Sequence, residues 1–409
     1  MTGPSPQAAA CRFWVEGDTV RVSVNGGGAA IPFRLARVDA RGFRAGLHTD
    51  LAQLLRDVGH SVDRDAEARM NALRTFYQGA LASLMMFEDY RALLDLFQTN
   101  FGHTSLLGPP PLFELHGRDQ DFFPLELLPL FAWSGDDQGD SVRALELASR
   151  AFVGMSAVVR RLPDAGSLSN EVLLHHGLPL PLRMVWDASL DGARRERSFF
   201  QGLHDEQALD LRGPWPDTPV DQRDAARILG SHIHDATRDA DGGVLEVSDR
   251  VHHFSCHCVA DERNPRQTLR IGCESTRVRL PMAAVFAAIE QRARKPGKEG
   301  GWAESQPPPF AFINACASGM LPVDFAGSFL EIYWRRGCAS IIGTEAAVPD
   351  DFAADFAATF YMLLRQEGVS TGLALLQAKR LMLRDAANPL GLLYTLYGNP
   401  DLQWTGASP

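Results

Sequence analysis

The stretch RVHHFSCHC, residues 250–258, places three histidines and two cysteines in a run of strand length. A second stretch, FAFINACASG at residues 310–319, is a continuous apolar strand that ends in small residues. A helical pattern, PMAAVFAAIEQRAR at residues 281–294, lies between them. This order of strand, helix and strand predicts that the two strands pair in parallel, with helices covering both faces of the sheet.

The same rhythm extends through the chain from residue 181 onward. PLRMVWDAS, QALDLRGPW and ASIIGTE have strand patterns, and helical patterns separate them. One helical run, DDFAADFAATFYMLLRQEG, is acidic at its start and closes with Gly368, which suits the helix dipole and the usual C-cap. Before residue 181 the order differs, because short strands over residues 1–45 precede helical patterns over residues 46–105.

These patterns predict an α/β fold, a mostly parallel sheet flanked by helices on both faces, with an N-terminal accessory region of strands and helices. The predicted division has an accessory region at residues 1–107, a strand and helix segment at residues 108–180, and a core at residues 181–409.

Composition narrows the function classes. The net charge of −10, from 40 basic and 50 acidic residues, disfavours nucleic acid as a partner. No apolar run reaches the roughly 18 residues that a membrane span needs. The first residues lack the basic and apolar regions of a secretory signal, so we expect a cytoplasmic protein whose six scattered cysteines are mostly thiols.

Reactive side chains follow the two strands quoted first. His257 lies near the end of one, and Cys316 directly follows the apolar run of the other, 59 residues later (316 − 257). Parallel strands share a direction, so both residues are expected at one rim of the sheet. An imidazole beside a thiol can accept its proton and protonate a leaving amine. Small residues after Cys316 leave backbone N–H groups accessible to an oxyanion.

The motifs VHHFSCHC, PFAFINACASG, GCASIIGTEAAVPDDFAADFAATFY and NPLGLLYTLYGNPDL occur here in one order. In this order and spacing they resemble the CHAT family, the bacterial caspase-like cysteine proteases of the caspase, gingipain and separase clan. The resemblance extends over about residues 108–405, since FELHGRDQDFFPLELL at residues 113–128 is similar to the segment that precedes the protease core.

The resemblance implies roles for individual residues. His257 would be the catalytic histidine, Cys316 the nucleophile, and His253 the earlier, non-catalytic histidine of the first motif. The backbone N–H groups of Cys316 and Cys258 would bind the oxyanion. The family usually has glycine at the position of Cys258, and this departure supports an alternative function, a catalytically inactive scaffold that binds protein partners.

The family's P1 pocket often contains an acidic residue from the loop after the next strand. Asp350 matches that position best, and Asp351 and Glu345 are neighbouring candidates. A carboxylate there would favour arginine or lysine at P1. Asp350 and Asp351 are equally suited to the N-cap and first turn of a helix from Phe352.

The resemblance also implies a protein substrate, such as a gasdermin-like pore former in anti-phage defence, without a metal or organic cofactor. Regulation would then come from residues 1–180 or from a partner protein. The Gly- and Pro-rich loop at residues 294–305 is either a surface loop or a site of self-cleavage.

A zinc site is the competing interpretation of Cys256, His257 and Cys258 together with His252 or His253. In a strand, however, His257 faces the side opposite to both cysteines, and no second pair of ligands with suitable spacing is visible. A nucleotide site is disfavoured because the chain has no Gly-rich phosphate motif.

Overall fold

A computed structural model gives the conformation of part of the chain in detail. The described residues are 11–16, 19–24, 31–34, 66–84, 90–101, 109–117, 125–129, 151–163, 173–176, 179–235, 249–261, 264–294, 308–315, 332–334 and 337–405. No helix in these ranges is both long enough and apolar enough to cross a membrane.

The described strands are β1 (Cys11–Glu16), β2 (Thr19–Val24), β3 (Ile31–Arg34), β4 (Leu112–Gly117), β5 (Val158–Pro163), β6 (Leu173–His176), β7 (Leu180–Trp186), β8 (Leu209–Trp215), β9 (Val251–Asp261), β10 (Asn264–Gly272), β11 (Arg277–Pro281), β12 (Phe310–Ala315), β13 (Ser340–Thr344), β14 (Tyr394–Gly398) and β15 (Gln403–Thr405). The described α-helices are α1 (Ala66–Leu84), α2 (Tyr90–Phe101), α3 (Val153–Ser156), α4 (Asp191–Asp205), α5 (Gln222–Asp235), α6 (Met282–Ala293), α7 (Asp350–Leu364) and α8 (Thr371–Ala386).

The chain forms two compact units. The first, the sheet unit, comprises Met1–Pro4, Ala165–Thr371 and Leu396–Pro409. The second, the discontinuous unit, comprises Ser5–Asp164 and Gly372–Thr395. The division at residues 107 and 180 stays a prediction.

In the sheet unit, β8, β7, β9, β12 and β13 pair side by side, and the four pairings are all parallel. Beyond the end of β7, β9 pairs with β10, and β10 with β11, in antiparallel fashion. The result is a mostly parallel mixed sheet, as the alternation of strands and helices predicted.

Helices cover both faces of this sheet. On one face, α4 supplies Glu196 and α7 supplies Tyr361, and both side chains contact His253 of β9. On the other face, α5 supplies His232, which lies within 3.5 Å of Arg183 of β7. The predicted three-layer arrangement is therefore confirmed for this unit.

Two features of the sheet were not predicted. The first strand motif continues to Asp261, three residues beyond Cys258. A β10–β11 hairpin then precedes α6, so one helix alone does not separate the two motif strands. The hairpin alternates clearly, since Leu269, Ile271, Val278 and Leu280 are buried, and this period of two was the available signal.

The discontinuous unit has a sheet in the order β5-β4-β1-β2-β3. Phenylalanine rings from β1, β4 and α2 form its aromatic core, with Phe13 stacked on Phe97 at 5.8 Å between centroids and Phe101 against Phe113 at 4.9 Å. The predicted N-terminal strands and helices are thus present, while residues 46–65, the first part of the predicted helical region, lie outside the described residues.

A second part of this core comes from α8. Leu376 packs with Leu112 of β4 and Val158 of β5. Nearby, the Arg161 guanidinium donates to the Glu126 carboxylate at 2.6 Å with both side chains buried. Burial lowers the pKa of Lys379 to about 8, although the charge of Glu126 opposes the shift.

Candidate active site

Strands β7 and β12 flank β9 in parallel, and the rim of the sheet unit lies where these two strands end. β7 pairs with β9 up to Trp186 opposite Ser255. On the other side, β12 pairs with β9 up to Ala315 opposite Cys256. His257 is therefore the first residue of β9 beyond both parallel neighbours, at the carboxyl end where loops carry functional groups in such sheets.

Charged groups of both signs surround the half-buried His257. Arg270 of β10 is its direct partner across the antiparallel ladder. Burial is the main cause that lowers the pKa of His257 below its ordinary 6.5, and the Arg270 charge lowers it further. The carboxylates of Asp187 and Asp350 act in the opposite direction. The neutral imidazole is thus the favoured form near pH 7.

Asp187 follows β7 directly and is fully buried. Its carboxylate accepts from Arg270 Nε at 2.8 Å and from Ser189 Oγ at 2.6 Å. The sequence patterns alone did not distinguish this residue as functional. Its position near the end of a predicted strand, on the rim expected for His257, was the signal that could have identified it.

Asp350 begins α7, but its side chain does not cap that helix. The N-cap is Pro349, which makes no side-chain cap hydrogen bond. Asp350 Oδ2 instead accepts from the backbone N–H of Gly192, in the first turn of α4, at 2.7 Å. Burial raises the pKa of Asp350, and the Gly192 hydrogen bond opposes this effect. The alternative was right that Asp350 lies in the first turn of α7 and wrong that it is the N-cap, because its carboxylate binds the N-terminus of α4 instead.

The other two pocket candidates have different surroundings. Asp351 lies in the first turn of α7, as predicted, and is exposed, where Arg195 Nη1 donates to it at 3.2 Å. Glu345 is buried just after β13, where it accepts from Tyr397 at 3.3 Å. Of the three, only Asp350 is among the charges that shift the pKa of His257.

The two cysteine positions differ in what the structure describes. Cys258 is buried in β9, and it is not among the described non-glycine residues with positive φ, which are Gln207 and Ala387. Because the backbone at position 258 is extended, it can hold a cysteine as well as the glycine that is usual in the family. Cys316 lies outside the described residues, and β12 ends at Ala315, to which Cys316 is bonded.

A buried polar network lies beneath the rim on the His257 face. Glu196 of α4 accepts at 2.9 Å from Ser255 of β9 and from Asn314 of β12, and it pairs closely with His253. Asn314 also donates to the backbone of Ala353 in α7 at 2.9 Å. The network joins both motif strands to the two helices on that face, and it gives His253 a structural role.

The candidate zinc ligands do not converge. In the parts of the chain that the structure describes, there is no group of three or more His, Cys, Asp and Glu side chains that could hold a metal ion. The proposed self-cleavage loop at residues 294–305 lies outside the described residues except for Arg294, so self-cleavage stays a prediction.

The CHAT domain family model matches residues 184–401. A curated protein from Vitiosangium sp. (strain GDMCC 1.1324), described as a probable protease, is 30% identical over 109 residues, which is 26% of this chain and 14% of the relative.

Two solved structures have similar backbones at low sequence identity. The Saccharomyces cerevisiae separase–securin complex is matched over 96% of this chain and 30% of that chain, at 12% identity and a TM-score of 0.47. The complex of the pro- and mature domains of Porphyromonas gingivalis RgpB is matched over 76% of this chain and 69% of that chain, at 10% identity and a TM-score of 0.41.

Proposed function

The chain belongs to the CHAT domain family, and on this premise we propose that it is a cysteine endopeptidase with Cys316 as nucleophile and His257 as its proton acceptor. The residue pairing at the rim carries the proposal. Ala315 is the register partner of Cys256, and each is bonded to one member of the dyad. A trans peptide sets about 3.8 Å between consecutive Cα atoms, so this register supports the assignment of His257 and Cys316 as a dyad.

Face alternation supports the same assignment. Ser255 and Asn314 both reach Glu196, so they share one face of the sheet. Side chains two residues apart along a strand point to the same side. His257 follows Ser255 by two positions, and Cys316 follows Asn314 by two.

In the proposed reaction, neutral His257 accepts the Cys316 proton as the sulfur attacks the scissile carbonyl carbon. Backbone N–H groups at Cys316 and Cys258 stabilise the resulting oxyanion. His257 then donates the proton to the departing amine, and the C–N bond breaks to leave a thioester. Water hydrolyses the thioester and restores the thiol. This chemistry uses no metal or organic cofactor.

We also propose a preference for arginine or lysine at P1, with Asp350 as the pocket acid. Asp350 is half-buried and close enough to influence the His257 pKa. The Gly192 hydrogen bond fixes one carboxylate oxygen, which leaves lone pairs for a basic side chain. Asp351 and Glu345 are weaker candidates, because one is exposed and the other binds Tyr397.

We also propose a biological role for the chain, which rests on its membership of the family. A proteolytic effector in anti-phage defence would cleave a protein such as a gasdermin-like pore former in the cytoplasm, under the control of a partner protein. A substrate screen in phage-infected cells would test this role separately from the chemistry.

Peptide cleavage tests the proposed chemistry. We expect the wild type to cleave members of a peptide library after basic residues, and Cys316→Ala and His257→Ala to have no detectable activity. Asp350→Ala should lower kcat/KM for basic P1 residues and leave other peptides less affected. A peptide ketone with basic P1 should modify Cys316 in a manner that requires His257. Absence of both cleavage and labelling would favour the inactive scaffold.

A further inference from the structure

Three arginines, which we call the arginine strip, lie beside His257 on the β10–β11 hairpin: Arg270, Arg277 and Arg279. Arg270 pairs with His257 on one side and with Arg279 on the other. Direct cross-strand partners share a face of the sheet, so the three residues form a row. Arg277 precedes Arg279 by two positions and points to the same side.

The strip faces solvent. The alternate hairpin residues Leu269, Val278 and Leu280 are buried and occupy the opposite face. Arg279 is exposed, and the Arg277 side chain is 58% exposed. This face of the hairpin is therefore open to a ligand.

The strip carries excess positive charge in a chain whose net charge is −10. Buried Asp187 pairs with Arg270 at 2.8 Å and lies 3.9 Å from Arg277. The Arg279 backbone pairs with Arg270 in the hairpin, and its side chain has no hydrogen bond or ion pair with any residue that the structure describes. Glu274 in the hairpin turn is exposed. Asp187 thus orients Arg270 and Arg277, and the Arg279 guanidinium remains available to bind an anion.

The arginine strip extends from His257 away from β12, and this direction places it beside the part of a bound peptide that follows the cleaved bond. The nucleophile attached to β12 attacks the P1 carbonyl, and His257 on β9 protonates the departing P1′ nitrogen. Continuing from β12 through β9 leads to β10 and β11. Neighbouring strands lie about 4.8 Å apart, so Arg279 is about 10 Å beyond His257. An extended peptide advances about 3.3 Å per residue and spans this distance in about three residues.

We propose that the arginine strip binds acidic side chains of the substrate at P1′ to P3′, on the C-terminal side of the cleaved bond. This inference rests on the proposed peptidase function and adds a substrate preference to it. Guanidinium and carboxylate groups form charge-assisted hydrogen bonds, and Arg279 is the residue whose contribution depends least on the catalytic group.

Binding to the Cys316→Ala variant tests the strip without requiring turnover. Three fluorescent peptides would share a basic P1 and differ at P1′ to P3′, with acidic, amide or lysine residues. We expect the acidic peptide to bind tightest in fluorescence anisotropy. Adding Arg279→Gln should weaken its binding about fivefold, the upper range for an exposed ion pair. Adding Arg223→Gln, at an exposed arginine of α5, should change nothing.

Charge reversal sharpens the test. In the Cys316→Ala background, Arg279→Glu should weaken the acidic peptide further and improve the lysine peptide. Equal affinity for the three peptides, or equal effects of Arg223→Gln and Arg279→Gln, would overturn the inference. So would a single-stranded DNA of matched charge that binds as tightly with the same dependence on Arg279, because the strip would then be a general polyanion surface.

Turnover by the wild type separates the two proposals. Acid-selective binding that depends on Arg279, without Cys316-dependent cleavage of any peptide, would support the strip as a peptide site and overturn the peptidase function. Cysteine-dependent cleavage with no preference at P1′ to P3′ would overturn the strip alone.

Discussion

His257 is held between opposing charges, and this arrangement sets the protonation state on which its proposed role depends. Burial and Arg270 favour the neutral imidazole, while Asp187 and Asp350 favour the imidazolium. A thiol can transfer its proton only to a neutral imidazole. The rim therefore keeps His257 ready as an acceptor near pH 7, with two carboxylates that stabilise the cation once it forms.

The pH profile of kcat/KM should reflect these charges. Because the pKa of His257 is lowered, the acid limb should have its midpoint below pH 6.5. Arg270→Gln removes a positive neighbour and should move the limb to higher pH. Asp350→Asn removes a negative neighbour and should move it to lower pH. Stopped assays of peptide hydrolysis between pH 4.5 and 8 would measure both shifts, with Arg223→Gln as control. Shifts in the same direction for both variants would contradict the assignment.

At this scale the sequence supplied the reactive pair and missed its surroundings. His257 and Cys316 stood out because each lies at or near the predicted end of a strand. Asp187 and Glu196 did not, since their partners lie 83 and 118 residues away, at Arg270 and Asn314. Ion pairs over such separations depend on which strands and helices become neighbours, and local patterns carry no information about that.

The contact between α4 and α7 positions Asp350. A Cβ added at Gly192 would lie 2.4 Å from both the backbone oxygen and Oδ1 of Asp350. The close approach lets the carboxylate reach the Gly192 N–H at the α4 N-terminus, where the helix dipole favours negative charge. A backbone atom is involved, so rotation of the Asp350 side chain alone cannot relieve the crowding.

Gly192→Ala should therefore separate the two helix ends. We expect a loss of about 1–3 kcal/mol in the free energy of unfolding, the usual cost of overpacking, together with a reduced kcat/KM for basic P1 substrates. Gly202→Ala in the same helix is the matched control, because no atom lies within 4 Å of its added Cβ. It should stabilise the protein by up to about 1 kcal/mol through helix propensity. Urea denaturation measures both changes, and equal stabilities of the two variants would show that the contact tolerates a methyl group.

Element prediction succeeded where periodicity was long and failed at the β10–β11 hairpin. Apolar strands such as β7 and β12 and the helix α7 agree with the sequence patterns. The hairpin is short, and arginines occupy its solvent face, so its apolar residues are few. The alternation extends over few residues, and the helical pattern of residues 281–294 follows it directly.

The order of the two units along the chain is a property of the whole molecule. The discontinuous unit consists of Ser5–Asp164 and of Gly372–Thr395. Most of the sheet unit lies between these two segments in the sequence. Consecutive segments were the natural expectation from sequence, because the order of strand and helix patterns changes near residue 181. Helix α8 packs against strands from a much earlier part of the chain. This packing depends on tertiary structure, which local sequence patterns do not predict.

Leu376→Ala tests whether α8 completes that core. Leu376 is 2% exposed and packs with Leu112 and Val158, so truncation should cost about 2–5 kcal/mol from lost burial and a residual cavity. Amide hydrogen exchange should accelerate in β4 and β5, although both strands lie more than 200 residues earlier in the chain. Arg384→Ala, at an exposed position of the same helix, should leave exchange in these strands unchanged. Unaltered exchange in β4 and β5 of the Leu376 variant would mean that α8 does not share their core.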